Sequence, residues 1–327
     1  MLVLIISRLL QAIPVLLTVG IVAFSMFRYV GDPVGAMLGQ DYTDAQRAAL
    51  VHRLGLDQPA YMQFFHYIWA ALHGDFGYSY RIAEPVSTLF ATRLPATLEL
   101  SITATVLSVL LAIPLGVVAG IWPRAAGSRL AMLLSLVGVS LPTFLIGILL
   151  ILAFSVELDW LPSFGRGTVT QLGWWSTGYL TWSGIKALIL PAITLGLFQL
   201  TLVMRLVRAE MLEVLRTDYI KFARARGLRA RSIHFGHALR NTLVPVITVI
   251  GLQLGGVIAY SVVTETVFQW PGMGLLFIQS VTAADIPVMS AYLLLVGVVF
   301  VLINLAVDLL YYAVDPRLRA ARGGRPA

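Results

Sequence analysis

Six long stretches of the chain contain no Asp, Glu, Lys or Arg and consist mainly of apolar residues. A helix needs about 20 such residues to cross a hydrocarbon core about 30 Å thick, and the six stretches approach or exceed that length. The pattern therefore predicts an all-α membrane protein with six transmembrane helices. The predicted spans are residues 9–27, 100–122, 130–156, 187–204, 243–264 and 286–307.

The composition leads to the same class of protein. Hydrophobic residues make up 58% of the chain and charged residues 12%, about half the charged fraction of an ordinary soluble domain. The chain contains no cysteine, which excludes disulfides, iron–sulfur clusters and thiol catalysis. The bilayer is therefore the predicted solvent, and the segments outside it must hold their shape by packing alone.

Basic residues are distributed unequally between the two predicted sides of the membrane. If the six spans alternate, the side with both termini carries 16 of the 23 Lys and Arg residues and the other side carries seven. The positive-inside rule then places both termini in the cytoplasm. The predicted organisation is a first transmembrane helix (1–30), an extracytoplasmic segment (31–99), a five-helix core (100–312) and a basic cytoplasmic tail (313–327).

The extracytoplasmic segment is long enough for helices of its own. Charged residues such as Asp44 and Arg47 alternate there with Leu50 and Leu56. This pattern predicts a small cap of amphipathic helices after the first span. Such a cap can receive a partner protein or can simply cover the bundle, and the residues alone leave both interpretations open.

Residues 205–240 form a basic loop that holds nine of the 23 Lys and Arg residues. Within it, residues 218–228 predict a short helix, because Ala and Arg favour helix and Gly227 permits a left-handed cap. We predict that this helix contacts a cytoplasmic protein, although its arginines also suit anionic lipid headgroups. The pattern does not favour nucleic-acid binding, which needs a soluble basic surface. The candidate contact residues are Asp218, Tyr219, Lys221, Ala223, Arg224, Ala225 and Gly227.

The polar residues within the predicted spans are neutral. Ser108 and Gln253 are candidates for a substrate pathway, since such groups suit a neutral or zwitterionic cargo, but they also suit hydrogen bonds between helices. An ion-coupled carrier usually needs ionisable groups near the middle of the membrane. The nearest candidate, Asp308, lies at the cytoplasmic end of its span. Energy for transport is therefore expected from another subunit.

The predicted spans contain several prolines and glycines. Four prolines, Pro14, Pro114, Pro142 and Pro191, can bend their helices because each removes a backbone hydrogen bond. Two glycine pairs, at positions 116 and 120 and at positions 251 and 255, have the spacing that lets helices approach closely. We interpret these glycines as packing positions.

No catalytic motif is found in the sequence. The two lysines, Lys186 and Lys221, do not follow a glycine, so the chain has no GxxxxGK[ST] phosphate loop. HExxH and GxSxG are also absent. The chain is therefore predicted to be no enzyme and to have no cofactor, metal or catalytic residues of its own. An intramembrane enzyme and a purely structural scaffold are the weaker alternatives.

Nine short motifs, in order along nearly the whole chain, resemble the permease subunit of bacterial ATP-binding-cassette importers, in the dipeptide, oligopeptide and nickel branch. The family's cytoplasmic EAAxxxG motif falls on Ala223 and Gly227, with Lys221 and Phe222 at its first two positions. The motifs are RLLQAIPVLL (8–17), GDP (31–33), LGLDQP (54–59), GDFG (74–77), RLPATLEL (93–100), WLP (160–162), RAEMLEVL (208–215), TETVFQWPGMG (264–274) and DPR (315–317).

The resemblance implies an architecture, a set of partners and a cargo. The helix at residues 218–228 is expected to be the coupling helix that docks on an ATPase. The partners are expected to be a second homologous permease, two ABC ATPases that bind ATP and Mg, and an extracytoplasmic binding protein, all at the bacterial inner membrane. Short peptides are the expected cargo, moved inward by alternating access. A nickel chelate, glutathione or another small solute is the alternative in this architecture, and an ion-coupled secondary carrier is the alternative from another class.

The unequal distribution of basic residues makes a topology prediction. Arg229→Cys and Asp57→Cys each introduce one thiol into this cysteine-free chain. We expect a membrane-impermeant maleimide to label Asp57→Cys from outside the cell and Arg229→Cys only after permeabilisation. The reverse labelling order contradicts the predicted orientation.

Overall fold

The computed structural model describes residues 2–29, 33–38, 42–53 and 55–314 of the 327-residue chain. Most of the predicted basic tail (315–327) and residues 31 and 32 of the GDP motif lie outside these ranges. The elements in chain order are α1 (Leu2–Tyr29), α2 (Pro33–Leu38), α3 (Asp44–Arg53), α4 (Ala60–Leu72), α5 (Val86–Ile121), α6 (Ala126–Ser140), α7 (Thr143–Ile151), β1 (Thr170–Leu172), β2 (Trp175–Thr177), α8 (Trp182–Val214), α9 (Asp218–Ala225), α10 (Leu239–Val267), α11 (Met273–Thr282) and α12 (Ile286–Val314).

The described residues confirm the all-α membrane fold. Five helices are long and apolar enough to cross a membrane: α1, α5, α8, α12, and α10 together with the π-helical turn that precedes it (Ser232–Ala238). The predicted helices of the segment after the first span are present as α2, α3 and α4. The two short strands form one small hairpin.

The span predicted for residues 130–156 is not one straight helix. It divides into α6 and α7, two helices that form a sharply bent pair and count as a sixth span if taken together. Pro142 lies at the bend with ψ 137°, outside the helical region. Proline cannot donate the hydrogen bond of a helix interior, but it costs little just before a first turn. By contrast, Pro14 and Pro191 lie inside continuous helices.

The chain forms two compact units. The first contains the described residues up to 96, together with 171–176 and 271–302; the second contains 97–170, 177–270 and 303–314. In the first unit, α4 packs against α1 through aromatic rings. Phe24 and Phe64 meet edge-on with 5.5 Å between centroids, and Phe27 and Tyr67 stack at 6.0 Å.

One buried carboxylate holds two loops of the first unit together. The Ser79 hydroxyl donates to Asp285 Oδ2 at 2.5 Å, and the Tyr80 backbone N–H donates to Asp285 Oδ1 at 3.1 Å. Asp285 lies between α11 and α12, and its side chain is buried. These bonds fix the loop before α5 against the start of α12.

Helix α8 is the centre of the second unit, where α6, α7 and α10 all pack against it. Its buried apolar face continues into residues of α5, α9, α10 and the π-helical turn before α10. Together these residues form one hydrophobic core. Its members are Ala112, Val117, Val203, Met204, Val207, Met211, Ile220, Ala223, Ile233, Ala238 and Val246.

Two glycines bring α5 close to α8. A Cβ added at Gly116 lies 2.7 Å from the Met204 carbonyl oxygen and 2.7 Å from Val207 Cβ. A Cβ added at Gly120 lies 2.6 Å from Met211 Cβ. Real Cβ atoms do not come this close to backbone or Cβ atoms, so both positions require glycine. The interpretation of this pair as a packing motif is confirmed.

We predict that Gly116→Val destabilises the protein, because three added carbon atoms have no space between α5 and α8. Overpacking of this kind costs about 1–3 kcal/mol. Thermal unfolding in detergent measures the effect. Gly127→Ala is the matched control, since an added Cβ there meets nothing within 4 Å. A Gly116→Val protein as stable as the control contradicts the close contact.

Candidate functional site

Helix α9 has one buried face and one exposed face. Ile220 is fully buried and Ala223 is 7% exposed, and both belong to the core of the second unit. On the other side, Phe222 is 65% exposed and Tyr219 is 42% exposed. Spacing of three residues places Ile220 and Ala223 one turn apart on the same side of the helix. The chain's own core thus fixes α9, and the exposed face of this helix carries two aromatic side chains.

The helix ends as the sequence predicted. Gly227 has φ +75°, the left-handed conformation that glycine adopts without strain. Its N–H donates to the Arg224 carbonyl at 2.9 Å, and the Leu228 N–H donates to the Ala223 carbonyl at 3.3 Å. These two bonds make up a Schellman motif. The basic loop therefore turns sharply immediately after α9.

Side-chain contacts order the exposed face of α9. Lys221 Nζ lies 2.8 Å from Asp218 Oδ1, in an ion pair open to solvent. Asn241 of α10 donates its amide to the Tyr219 hydroxyl at 2.6 Å. The guanidinium of Arg226 lies 5.8 Å from the centre of the Phe222 ring. The face is therefore a fixed aromatic and basic surface, the composition that protein interfaces favour.

Six of the seven candidate contact residues are exposed, and the seventh is not. The exposed six are Asp218, Tyr219, Lys221, Arg224, Ala225 and Gly227. The sequence analysis assigned Ala223 to a partner surface because its side chain is small. In the structure that side chain packs into the core beneath α9, so its size serves the packing of this chain. Phe222, which the sequence analysis did not select, is the most exposed large hydrophobic residue of the helix.

The two pathway candidates lie in different environments. Ser108 is 1% exposed and donates its hydroxyl to the Thr105 carbonyl of its own helix at 2.9 Å. Gln253 is half-buried and lines a cavity of about 290 Å³ in the second unit. Gln199 of α8 lines the same cavity. Ser108 does not, so the structure does not bring the two candidates together.

A buried ion pair escaped the sequence analysis. Arg166 donates from Nε to Glu99 Oε2 at 3.0 Å, and the side chains are 6% and 1% exposed. The Gly178 N–H also donates to Glu99, at 3.1 Å, and the Arg166 guanidinium lies 5.9 Å from the Trp270 ring. These contacts join the loop after α7 to α5. The position of Glu99 between two leucines in the RLPATLEL motif could have indicated that this carboxylate is buried.

A second buried carboxylate belongs to the same unit. Glu265, in the last turn of α10, is fully buried and accepts hydrogen bonds from Thr97 at 2.7 Å and Ser261 at 3.2 Å. Glu99 lies inside α5 and Glu265 lies near the end of α10, and both helices are long and apolar enough to cross a membrane. A buried charge is retained only when it is paired and hydrogen-bonded. The sequence analysis considered Asp308 and overlooked Glu99 and Glu265.

Comparison with solved structures identifies the class of fold. The chain is similar to a chain of the MetNI methionine ABC transporter in inward-facing conformations, with a TM-score of 0.54 and 19% sequence identity. The match covers 67% of this chain and 93% of that chain. At this identity the likeness shows the fold alone.

The family is shown by the sequence. Residues 112–320 match the family described as binding-protein-dependent transport system inner membrane component, and residues 1–101 match the N-terminal family of the same membrane components. The chain therefore belongs to the inner membrane permeases of binding-protein-dependent ABC importers. The predicted resemblance to this family is confirmed.

Similar proteins carry a specific transport name. The chain is 41% identical over 317 residues to the glutathione transport system permease protein GsiC of Escherichia coli strain K12, covering 96% of this chain and 98% of the relative. It is 40% identical, with the same coverage, to the protein of that name in Salmonella typhimurium strain LT2. These relatives match the chain from end to end.

Proposed function

We propose that this chain is the permease subunit of an ATP-driven importer of short peptides, with glutathione, itself a tripeptide, as the specific candidate. The end-to-end match at 41% identity to a glutathione transport permease is the observation that carries this cargo. Dipeptides and oligopeptides remain the broader candidate class. The neutral polar residues of the spans are compatible with a zwitterionic cargo. A nickel chelate is the alternative cargo in the same architecture.

The proposed complex contains a second homologous permease, two ABC ATPases and a substrate-binding protein. The family description itself names dependence on a binding protein. The sequence contains no phosphate loop, so ATP and Mg are assigned to the ATPase subunits. Alternating access then moves the peptide inward, while the ATPase subunits hydrolyse ATP on the cytoplasmic side of the membrane.

The exposed face of α9 is the proposed docking surface for the ATPase. By the positive-inside rule, the distribution of basic residues predicts that the loop containing α9 lies in the cytoplasm, where ATP is available. Phe222 provides an aromatic anchor, and the ordered Arg226 and Lys221 supply positive charge around it. Interfaces concentrate their binding energy in such central aromatic and arginine residues. If these basic residues instead contact anionic lipid headgroups, Phe222 has no role in assembly with the ATPase.

We predict that Phe222→Asp lowers the amount of ATPase that co-purifies with the permease at least about tenfold, since loss of a central anchor costs about 2 kcal/mol or more. The substitution lies on an exposed position, so membrane insertion is expected to persist. Quantified co-purification from detergent extracts measures assembly.

Phe164→Asp is the matched control for this variant. Phe164 is 62% exposed, close to the exposure of Phe222, but lies in the loop after α7, outside the basic segment. We expect its complex to retain the ATPase. Normal ATPase recovery with Phe222→Asp contradicts the assignment of this face.

The cargo is tested with the reconstituted complex. ATP hydrolysis and uptake are measured with the cognate binding protein loaded in turn with glutathione, a library of di- to pentapeptides, and a nickel chelate. We expect glutathione or a peptide to stimulate hydrolysis and to enter the vesicles. Stimulation by the nickel chelate or a sugar alone contradicts the peptide cargo, and uptake that follows an ion gradient without ATP contradicts the importer mechanism.

A further inference from the structure

Gln199 of α8 is a buried amide without a partner. The residue is 2% exposed, and neither its Oε1 nor its Nε2 has a hydrogen-bond partner among the described residues. Among the described residues, it is the one buried side-chain amide whose oxygen and nitrogen both lack partners. Burial of a polar group without compensation is costly, so such groups in native proteins need a specific explanation.

Gln199 lies in the wall of the cavity of about 290 Å³ in the second unit, with its two polar atoms buried. Gln253 and Tyr260 of α10 line it too, and Thr143 does so at the start of α7. This volume lies near the lower end of the range for small-molecule sites, about 300–1,000 Å³. The cavity thus combines two side-chain amides with apolar and aromatic walls, the usual composition of a ligand site.

The bend between α6 and α7 contributes a third polar element. Helix α7 begins at Thr143, and the preceding Pro142 provides no side-chain cap. The first N–H groups of a helix have no partner inside it, and they carry the positive end of the helix dipole. Irregular backbone at membrane depth is tolerated where it lines a cavity. The start of α7 therefore lies at the same cavity as the unpartnered amide.

Gly256 keeps this cavity open. A Cβ added there meets nothing closer than 3.9 Å, and the nearest atoms belong to Gln253 and Tyr260, which line the cavity. At Gly116 and Gly251, by contrast, an added Cβ lies 2.7 Å or less from a neighbouring helix. The glycine at position 256 is therefore not required for helix contact, and a larger side chain there would project into free space.

We propose that this cavity binds a peptide group of the cargo during its passage, with Gln199 as a contact residue. A primary amide offers one acceptor and two donor positions, which complement the N–H and C=O of a peptide bond. A peptide carboxylate suits the start of α7. A lipid hydrocarbon chain in this cavity has no hydrogen-bonding groups, so it would leave the Gln199 amide without a partner. The inference rests on the proposed peptide import.

The main test compares uptake by the complete reconstituted complex. With Gln199→Met, which keeps the length of the side chain and removes its amide, we expect peptide uptake to fall at least about tenfold, the effect of about 1.4 kcal/mol. We also expect thermal unfolding at an equal or higher temperature, because an uncompensated polar group has been removed. Thr201→Val is the matched control. Thr201 is equally buried on α8 and bonds its own helix at 3.0 Å, so uptake should stay unchanged.

A second measurement does not depend on the folding of the Gln199 variant. Gly256→Cys places the single thiol of this chain at the cavity. With ATP present, we expect the peptide-loaded binding protein to slow modification by a methanethiosulfonate reagent at least about threefold relative to the unloaded binding protein. Gly127→Cys, outside the cavity, should react equally in both conditions.

Each outcome decides the proposal. Wild-type uptake from Gln199→Met, or equal modification of Gly256→Cys with loaded and unloaded binding protein, overturns the site while leaving peptide import intact. Loss of the second permease from the purified Gln199→Met complex also overturns it, because the amide then serves subunit assembly. A wild-type complex that imports no peptide overturns the proposed function itself and the site with it.

Discussion

The close approach of α5 to α8 is the constraint on which the second unit depends. Inside a bilayer there is no hydrophobic drive between helices, so packing distance and internal hydrogen bonds must hold the bundle together. Gly116 and Gly120 let α5 lie against Val207 and Met211 of α8. These two α8 side chains also belong to the core that continues beneath α9. One set of contacts therefore positions both the central helix pair and helix α9.

Two buried polar side chains of this unit differ in whether their need for hydrogen-bond partners is met. Glu99 is buried but fully engaged, because Arg166 and the Gly178 N–H donate to it. Gln199 is buried on α8, yet both of its polar atoms lack partners within the described residues. The first arrangement stabilises a loop on a helix. In our proposal, the second keeps its hydrogen-bonding capacity for a peptide group of the cargo. The Glu99 contacts therefore serve the structure, whereas Gln199 serves transport.

The sequence was sufficient for the features that depend on local composition. Span length, the helix at residues 218–225 and its end at Gly227 follow from apolar runs and backbone preference, and the structure contains all three. The break at Pro142 was visible only as a proline, since other predicted spans also contain proline and the tertiary context decides which one separates two helices.

Contacts between distant segments were beyond the reach of the sequence. The partners Glu99 and Arg166 lie 67 positions apart, and no periodicity links them. The same holds for Gln199 and Gln253, whose shared cavity follows from how α8, α10 and the bend before α7 come together. Ala223 shows another limit of the sequence analysis. A small side chain fits a tight contact, but the sequence does not say whether the contact is with a partner or with the chain's own core.

The burial of Ala223 changes how a coupling helix of this chain can work. Ile220 and Ala223 share one core with Val207 and Met211 of α8, so α9 is not a loosely tethered contact but a continuation of the helix bundle. Close-packed interiors transmit displacement because they have little free volume to absorb it. We therefore expect a displacement of the exposed Phe222 face to be transmitted to α8 through the core that contains Ile220 and Ala223. Since Gln199 lies on the same α8, two turns from Val207, the surface proposed for the ATPase and the cavity proposed for the peptide share one rigid element.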